Sequence, residues 1–250
     1  MLTIAELIAA FRAVGLTDGD TVLVHSALRK LGPVEGRADG VIDALLAAVG
    51  PTGTVAVPTH TWGTVNAKQP VFHQTLSPSI VGTLTNVFRQ RPEAIRSLHP
   101  THSVAAIGAR AKEFVRDHEK DDTPCSPVSP YGKLITWGGK ILIIGAGLEC
   151  NTFFHGCEEQ AGCPWLFGPT EELYSITADG RIITVPSRRH AHGFSDLYPM
   201  LEESLLSIGA MTIGAAGECP LRLVDARKSS AWLIAELKND PDLLRRHRQE

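Results

Sequence analysis

The sequence predicts an α/β protein, a three-layer α/β/α sandwich around a mainly parallel sheet with a mixed or antiparallel C-terminal edge and helices. Three observations predict it. Short runs at residues 21–25 (TVLVH), 53–58 (GTVAVP), 103–107 (SVAAI) and 140–145 (KILIIG) are apolar throughout rather than alternating, so each needs cover on both faces. Helix-spaced segments alternate with them and provide that cover. After about Trp165 the pattern changes to two strand runs, 173–176 and 181–185, joined by Ala178-Asp179-Gly180, which reads as a β-hairpin.

Taken in order, Thr3-Ile4-Ala5-Glu6 opens the first helix. A threonine with glutamate three residues on satisfies two free backbone N–H groups reciprocally. Leu7, Ile8, Phe11 and Val14 keep helical spacing, and Gly15 is a stop. Asp39 is expected to cap a helix through Val41, Ile42, Leu45, Leu46 and Val49, closed by Gly50-Pro51. Ser79 is expected to cap a helix running to about Arg89, and another helix is expected near 109–118. Beyond the hairpin, helices near 196–206 and 230–238 finish the chain. There is no repeat, low-complexity tract or linker, which implies a single domain over residues 1–250. The polar Gly/Pro-rich stretch 121–132 is long for a connection in a compact domain, and such connections are often functional.

Composition narrows the function classes. At 43% hydrophobic and 20% charged, the chain has material for a real core. Lys plus Arg number 24 against 27 Asp plus Glu, a net charge of −3 that lacks the electrostatic footprint of a nucleic-acid binder. The apolar runs fall far short of the ~20 residues a bilayer helix needs, and the N-terminus has no basic n-region. Five cysteines in a chain this long fit reduced thiols better than a disulfide framework. The expectation is a cytoplasmic enzyme with no nucleic-acid or membrane partner. A homodimer stays open, because a groove between subunits is not written in one chain.

Ligands of open α/β sheets sit outside the carboxyl ends of the strands, so residues following each strand carry the functional expectation. His25-Ser26-Ala27-Leu28 follows the first, Thr59-His60-Thr61 the second, and Arg96 to Ser103 precedes the third. After the fourth come Gly145-Ala146-Gly147 and then Asn151-Thr152-Phe153-Phe154-His155-Gly156-Cys157-Glu158-Glu159. No phosphate-binding GxxxxGK[ST] is present, and Gly145-x-Gly147 lacks the third glycine of a dinucleotide fingerprint. The sharpest pair is His155 with Glu158. If Asn151 or Thr152 caps a helix, the two lie three residues apart on one face, where the carboxylate fixes the imidazole tautomer and frees the other nitrogen as a base. The same spacing also describes a capping-region histidine paired with a surface glutamate. Cys150, His155, Cys157 and Cys163 are a rival zinc set by residue type, but none of their spacings is CxxC, and His190-x-His192 is remote. No metal is expected. Arg96 is a candidate clamp for phosphate or carboxylate, or simply a surface arginine.

In sequence order, these pieces resemble the aminoglycoside 3-N-acetyltransferase family, the antibiotic acetyltransferases that are not of the GCN5 type. The resemblance rests on Gly19 through Leu28 with Leu31-Gly32, and on Ala44-Leu45-Leu46 through Gly53-Thr54 to Pro58-Thr59. It continues through Arg96-Ser97-Leu98-His99-Pro100-Thr101-His102-Ser103-Val104, Ser129-Pro130-Tyr131-Gly132-Lys133-Leu134, Gly139 to Gly145, and Asn151-Thr152-Phe153-Phe154-His155 with Glu158. It implies direct transfer of an acetyl group from acetyl-CoA, the co-substrate, to a primary amine, foremost the 3-amino group of a 2-deoxystreptamine antibiotic. It carries the catalytic histidine onto His155, its supporting glutamate onto Glu158 and a hydroxyl onto Thr152. CoA-contacting loops fall on Ser26, Ala27, Leu28, Thr59, Arg96, Ser97 and Ser103. A polycationic acceptor needs an anionic pocket, for which Glu159, Glu171, Glu172 and Asp196 are candidates. The alternatives are an N-acetyltransferase of a different small amine metabolite, a metal-dependent hydrolase using His99, His102, His155 and carboxylates, and a CoA- or small-molecule-binding protein without turnover.

Overall fold

The computed structural model describes residues 1–191 and 194–246. The strands in chain order are β1 (Thr21–Ser26), β2 (Thr54–Pro58), β3 (Val71–His73), β4 (Ile95–Arg96), β5 (Val104–Gly108), β6 (Lys140–Ile144), β7 (Phe167–Ile176), β8 (Ile182–His190), β9 (Met211–Ala216) and β10 (Cys219–Asp225). The helices are α1 (Ile4–Ala13), α2 (Arg37–Val49), α3 (Thr83–Phe88), α4 (Ala111–Val115), α5 (Pro130–Trp137), α6 (Phe153–Ala161), α7 (Glu202–Ser207), α8 (Ala226–Asn239) and α9 (Leu243–Arg246).

The main sheet has the order β4-β5-β2-β1-β6-β10-β9. Its centre is parallel, with β1 pairing β2 and β6. Both margins are antiparallel: β5 against β2 and β4 on one side, β10 against β6 and β9 on the other. The C-terminal mixed edge is as expected, whereas the antiparallel turn at β5 is not written in residues 103–107. An apolar run tells that a strand is covered on both faces but not which way it points.

Alternate residues of the central strands serve two cores. Val22, Val24, Val55, Val57, Leu142 and Ile144 pack against α1, α2 and α3. Leu23, Ala56, Ile141 and Ile143 pack against α5, α6 and α8. That division is the physical content of an apolar run without alternation. The helix α1 carries the expected capping box, and its Leu7 and Phe11 are buried. Asp39 does not cap α2, which begins two residues earlier behind Gly36 in the left-handed region. Nor does Ser79 cap α3, whose start is Gly82; the Ser79 hydroxyl accepts from Thr85 Oγ1 at 2.8 Å instead. Helix α5 emerges from the end of the stretch read as a connection. Ser129 caps it through the Gly132 N–H, and Pro130 occupies its first turn.

The smaller sheet, β3-β7-β8, covers one end of the main sheet's cavity side. The hairpin β7–β8 forms around Ala178-Asp179-Gly180 as the sequence predicts, with Gly180 at φ +84°. A register shift between Phe167 and Thr170 brings Phe167 opposite His190. Among the described residues, no helix is long and apolar enough to cross a membrane.

Candidate active site

The carboxyl ends of β1, β2 and β6 face a cavity of about 560 Å³, lined by His25, Ser26 and Pro58 from the sheet, Thr152 and His155 from the start of α6, and Arg189 and His190 from the end of β8. This is where an open α/β sheet places its ligands. The chain leaves β6 through Gly145 at φ +68°, where an added Cβ would lie 2.6 Å from Lys30 Cβ. The conformation steers the loop toward α6, a role unrelated to a dinucleotide.

His155 and Glu158 meet as their spacing predicts, with Nδ1 2.6 Å from Oε2. Glu158 is wholly buried and the imidazole is 14% exposed, so the acid lies behind the ring and the ring faces the cavity. Tyr198 completes the group, its hydroxyl 2.8 Å from the same Nδ1. Burial, with the neighbouring Glu158, pushes the Tyr198 phenol well above its ordinary pKa, so it stays protonated beside the pair. With the Nδ1–H given to Glu158, Nε2 carries the lone pair, and no protein group among the described residues takes it. Thr152 stands at the N-cap position of α6 without a side-chain capping bond. Asn151 does not cap either: it is buried with both amide atoms unpartnered by protein.

A second pair lies beside the first. His190 Nε2 is 2.7 Å from Glu159 Oε1, and the His190 and His155 ring centroids are 4.6 Å apart. Glu159 accepts from the Thr123 hydroxyl at 2.7 Å and the Cys125 N–H at 2.9 Å. The stretch 121–132 therefore does have a task, anchoring this acid. Burial raises the Glu159 carboxyl to about 7 and lowers His190 well below its ordinary value, so both partners favour a neutral pair. Glu159 is thus committed to protein rather than to an acceptor. Cys125, Glu159 and His190 bring ligand atoms within 4.8 Å of one another, types that suit zinc. The 2.7 Å separation is nevertheless that of a hydrogen bond; two ligands of one tetrahedral zinc, each about 2.0–2.1 Å from it, stand roughly 3.3 Å apart. His192 lies outside the described residues.

The histidines of the hydrolase reading are not gathered into a ligand set among the described residues. His99 Nδ1 accepts the N–H of His102 at 3.1 Å, and His102 Nδ1 is 2.9 Å from Thr101 Oγ1. These rings belong to a buried series in which His118, His99, His102 and His190 make successive contacts with centroids 4.7, 6.0 and 5.7 Å apart. Cys157 and Cys163 are likewise buried in the core, and all five cysteines are free thiols.

Arg96 is not at the cavity. It is buried, with Nε donating to Thr59 Oγ1 and Ser103 Oγ at 3.0 Å, Nη1 to the Ser77 carbonyl at 2.6 Å and Nη2 to the Thr59 carbonyl at 2.7 Å. Its guanidinium sits 4.7 Å above the Phe72 ring. Burial lowers its pKa to about 9, which leaves it charged at neutral pH. It is a strut joining β4 to β2 and to the segment leading from β3, and Thr59 and Ser103 are its partners rather than a cofactor's. Ser97 is equally engaged, with Oγ 2.9 Å from His118 Nδ1. Arg96→Ala should therefore destabilise the protein by about 3 kcal/mol or more, because several buried acceptors lose their donor. The urea midpoint measures this. Arg96→Lys should recover only part, since an ammonium cannot match the fork.

Of the remaining sequence candidates, Ser26 lines the cavity, while Ala27 and Leu28 turn away into a short 3-10 segment. Glu171 lines it but is paired to Arg189 at 2.9 Å. Glu172 is exposed and bonded to the Tyr174 hydroxyl. Asp196 is not a lining residue, although its neighbour Ser195 is. Sequence reasoning missed Tyr198, Glu149, Arg189 and the active placement of His190. The signals for the last were a weaker echo of the family around Arg189-His190 and the doubled acid Glu158-Glu159, which offers a partner to each of two imidazoles.

Known proteins share this arrangement of chain. Residues 23–238 match the family model described as aminoglycoside 3-N-acetyltransferase. The chain is 37% identical to aminoglycoside N(3)-acetyltransferase VII of Streptomyces paromomycinus, over 94% of this chain and 93% of that protein. Among solved structures it resembles AAC-IIIb in a binary complex with CoASH (TM-score 0.83, 29% identity, 95% of this chain and 96% of that one). It also resembles a histidine-to-alanine mutant of aminoglycoside acetyltransferase AAC(3)-IVa in complex with a gentamicin (TM-score 0.84, 28% identity, 97% and 91%).

Proposed function

Because the chain belongs to the aminoglycoside 3-N-acetyltransferase family, a family of acyltransferases, we propose that it transfers the acetyl group of acetyl-CoA directly to an aminoglycoside, at the 3-amino group of the 2-deoxystreptamine ring. The observation that carries the mechanism is the 2.6 Å contact between His155 and the buried Glu158 at the cavity wall.

An ammonium has no lone pair, so transfer needs a neutral amine and a base within reach. The amine nitrogen attacks the thioester carbonyl, forming the C–N bond, and its proton passes to Nε2 of His155. Glu158 stabilises the resulting imidazolium through Nδ1–H. The Thr152 hydroxyl, which lines the cavity and caps nothing, donates to the developing oxyanion. The C–S bond then breaks, its electron pair leaves on the CoA sulfur, and the sulfur takes a proton. Solved relatives bear on both substrates: one is bound to CoASH, another to a gentamicin. A cytoplasmic location goes with this reading, since acetyl-CoA is supplied there and thiols stay reduced.

Purified protein with acetyl-CoA and a 2-deoxystreptamine antibiotic should release one free thiol per amide formed. Without acceptor there should be no burst of thiol, because no acyl-enzyme forms. A stoichiometric burst without acceptor rejects direct transfer, and silence with every acceptor rejects the function.

A further inference from the structure

The charges of the cavity wall are unexpected for a site that takes a polycation. Its lining residues include two carboxylates, Glu149 and Glu171, and one guanidinium, Arg189. The imidazoles of His25, His60, His102 and His190 are held neutral by burial. Arg189 Nη2 donates to Glu171 Oε1 at 2.9 Å and Nη1 to the Trp62 carbonyl at 3.2 Å. The pairing follows from the hairpin: Glu171 stands opposite Ser187, so Arg189, two residues on, is its diagonal neighbour on the same face. The second oxygen, Glu171 Oε2, is buried without a partner. A carboxylate with one buried oxygen unsatisfied and the other held by a single arginine calls for a further cationic donor.

We propose that Arg189 sets the charge limit of the acceptor: it holds the Glu171 carboxylate that an acceptor ammonium must win from it. This inference rests on the N-acetyltransferase reading and adds its specificity determinant. Glu149 is exposed on the wall, where it accepts the Gly147 N–H at 3.1 Å, and provides the standing anionic charge. Each ammonium brought in meets the fixed guanidinium at close range, so the effect of Arg189 grows with the number of amino groups on the acceptor.

The test is steady-state kinetics on the full chain, with 2-deoxystreptamine and antibiotics bearing progressively more amino groups. Arg189→Gln should lower KM for the most highly charged acceptor by roughly five- to tenfold and change that for 2-deoxystreptamine least. Glu171→Gln should raise KM, and in its background the Arg189→Gln gain should be confined to the highly charged acceptors, where only the guanidinium's repulsion is left to remove. Arg189→Lys should behave as wild type, which separates charge from packing. If Arg189 only holds the hairpin together, Arg189→Gln will lower kcat and raise KM for every acceptor alike, and the inference fails. A rise in KM for acetyl-CoA alone assigns Arg189 to the cofactor and also overturns it. Wild-type transfer to none of these amines overturns the underlying reading, and the inference with it.

Discussion

Replacing His155 with alanine should lower turnover by about a thousandfold while CoA still binds, the scale a positioned general base contributes. The expectation rests on three placed groups. Glu158 is entirely buried beneath the ring, the Tyr198 hydroxyl lies 2.8 Å from the ring's Nδ1, and Nε2 is left at the cavity. Removing the imidazole leaves a cavity that can hold both substrates but has nothing to take the proton from the attacking nitrogen. Glu158→Gln should cost less, about ten- to a hundredfold. The amide oxygen still accepts from Nδ1–H, but the negative charge that steadies the imidazolium is gone. Tyr198→Phe removes the hydroxyl beside Nδ1 and should have the smallest effect of the three. Turnover and CoA affinity, measured separately, decide the matter: wild-type turnover in His155→Ala ends the mechanism, and lost CoA binding in that variant would mean the ring holds cofactor instead.

Acidification should unfold the protein between about pH 6 and 4.5, before most carboxylates protonate. The cause is the buried imidazoles. His25 is lowered to about 4 and His118 to about 3 by burial, and His60, His99, His102 and His190 are also held well below their ordinary value, burial being the first cause in each. Above pH 6.5 these rings are neutral folded or unfolded, and their contribution is fully present. As pH falls below about 6.5 the unfolded chain takes up protons that the folded rings refuse, so stability drops until each folded pKa is reached. For His25 the full loss is about 3 kcal/mol. At about pH 5 His25 and His118 have each cost about 2 kcal/mol, and the other four rings add in the same direction, against the roughly 5–15 kcal/mol of a typical domain. Glu159 works in the opposite sense, since a raised carboxyl binds its proton more tightly in the folded state as pH falls below about 7. One such group offsets only part of the loss from the imidazoles. Circular dichroism against pH measures the midpoint, and one near about pH 3.5 would show that carboxylates, not these histidines, limit acid stability.

Much of the fold was legible because its determinants are local. The capping box at Thr3 and Glu6, the apolar run 140–145 and the Ala178-Asp179-Gly180 turn each state their structure within a few residues. The His155–Glu158 contact was legible for the same reason, since an i, i+3 spacing fixes neighbours on a helix once the helix exists. Arg96 shows where that reasoning stops. Its run of polar neighbours looks the same whether they line a cavity or fill a wall, and only the packing of β4 against β2 buries the guanidinium.

By itself the sequence determined the layer architecture, the family and the acid–imidazole pair at the start of α6, because periodicity and short spacings act through adjacent backbone. The direction of β5, the arrival of Tyr198 and His190 at that pair, and the Arg189–Glu171 lock were decided only in the folded chain. Tyr198 and His190 reach their partners across 43 and 31 residues, where the contact exists only after separate elements have packed.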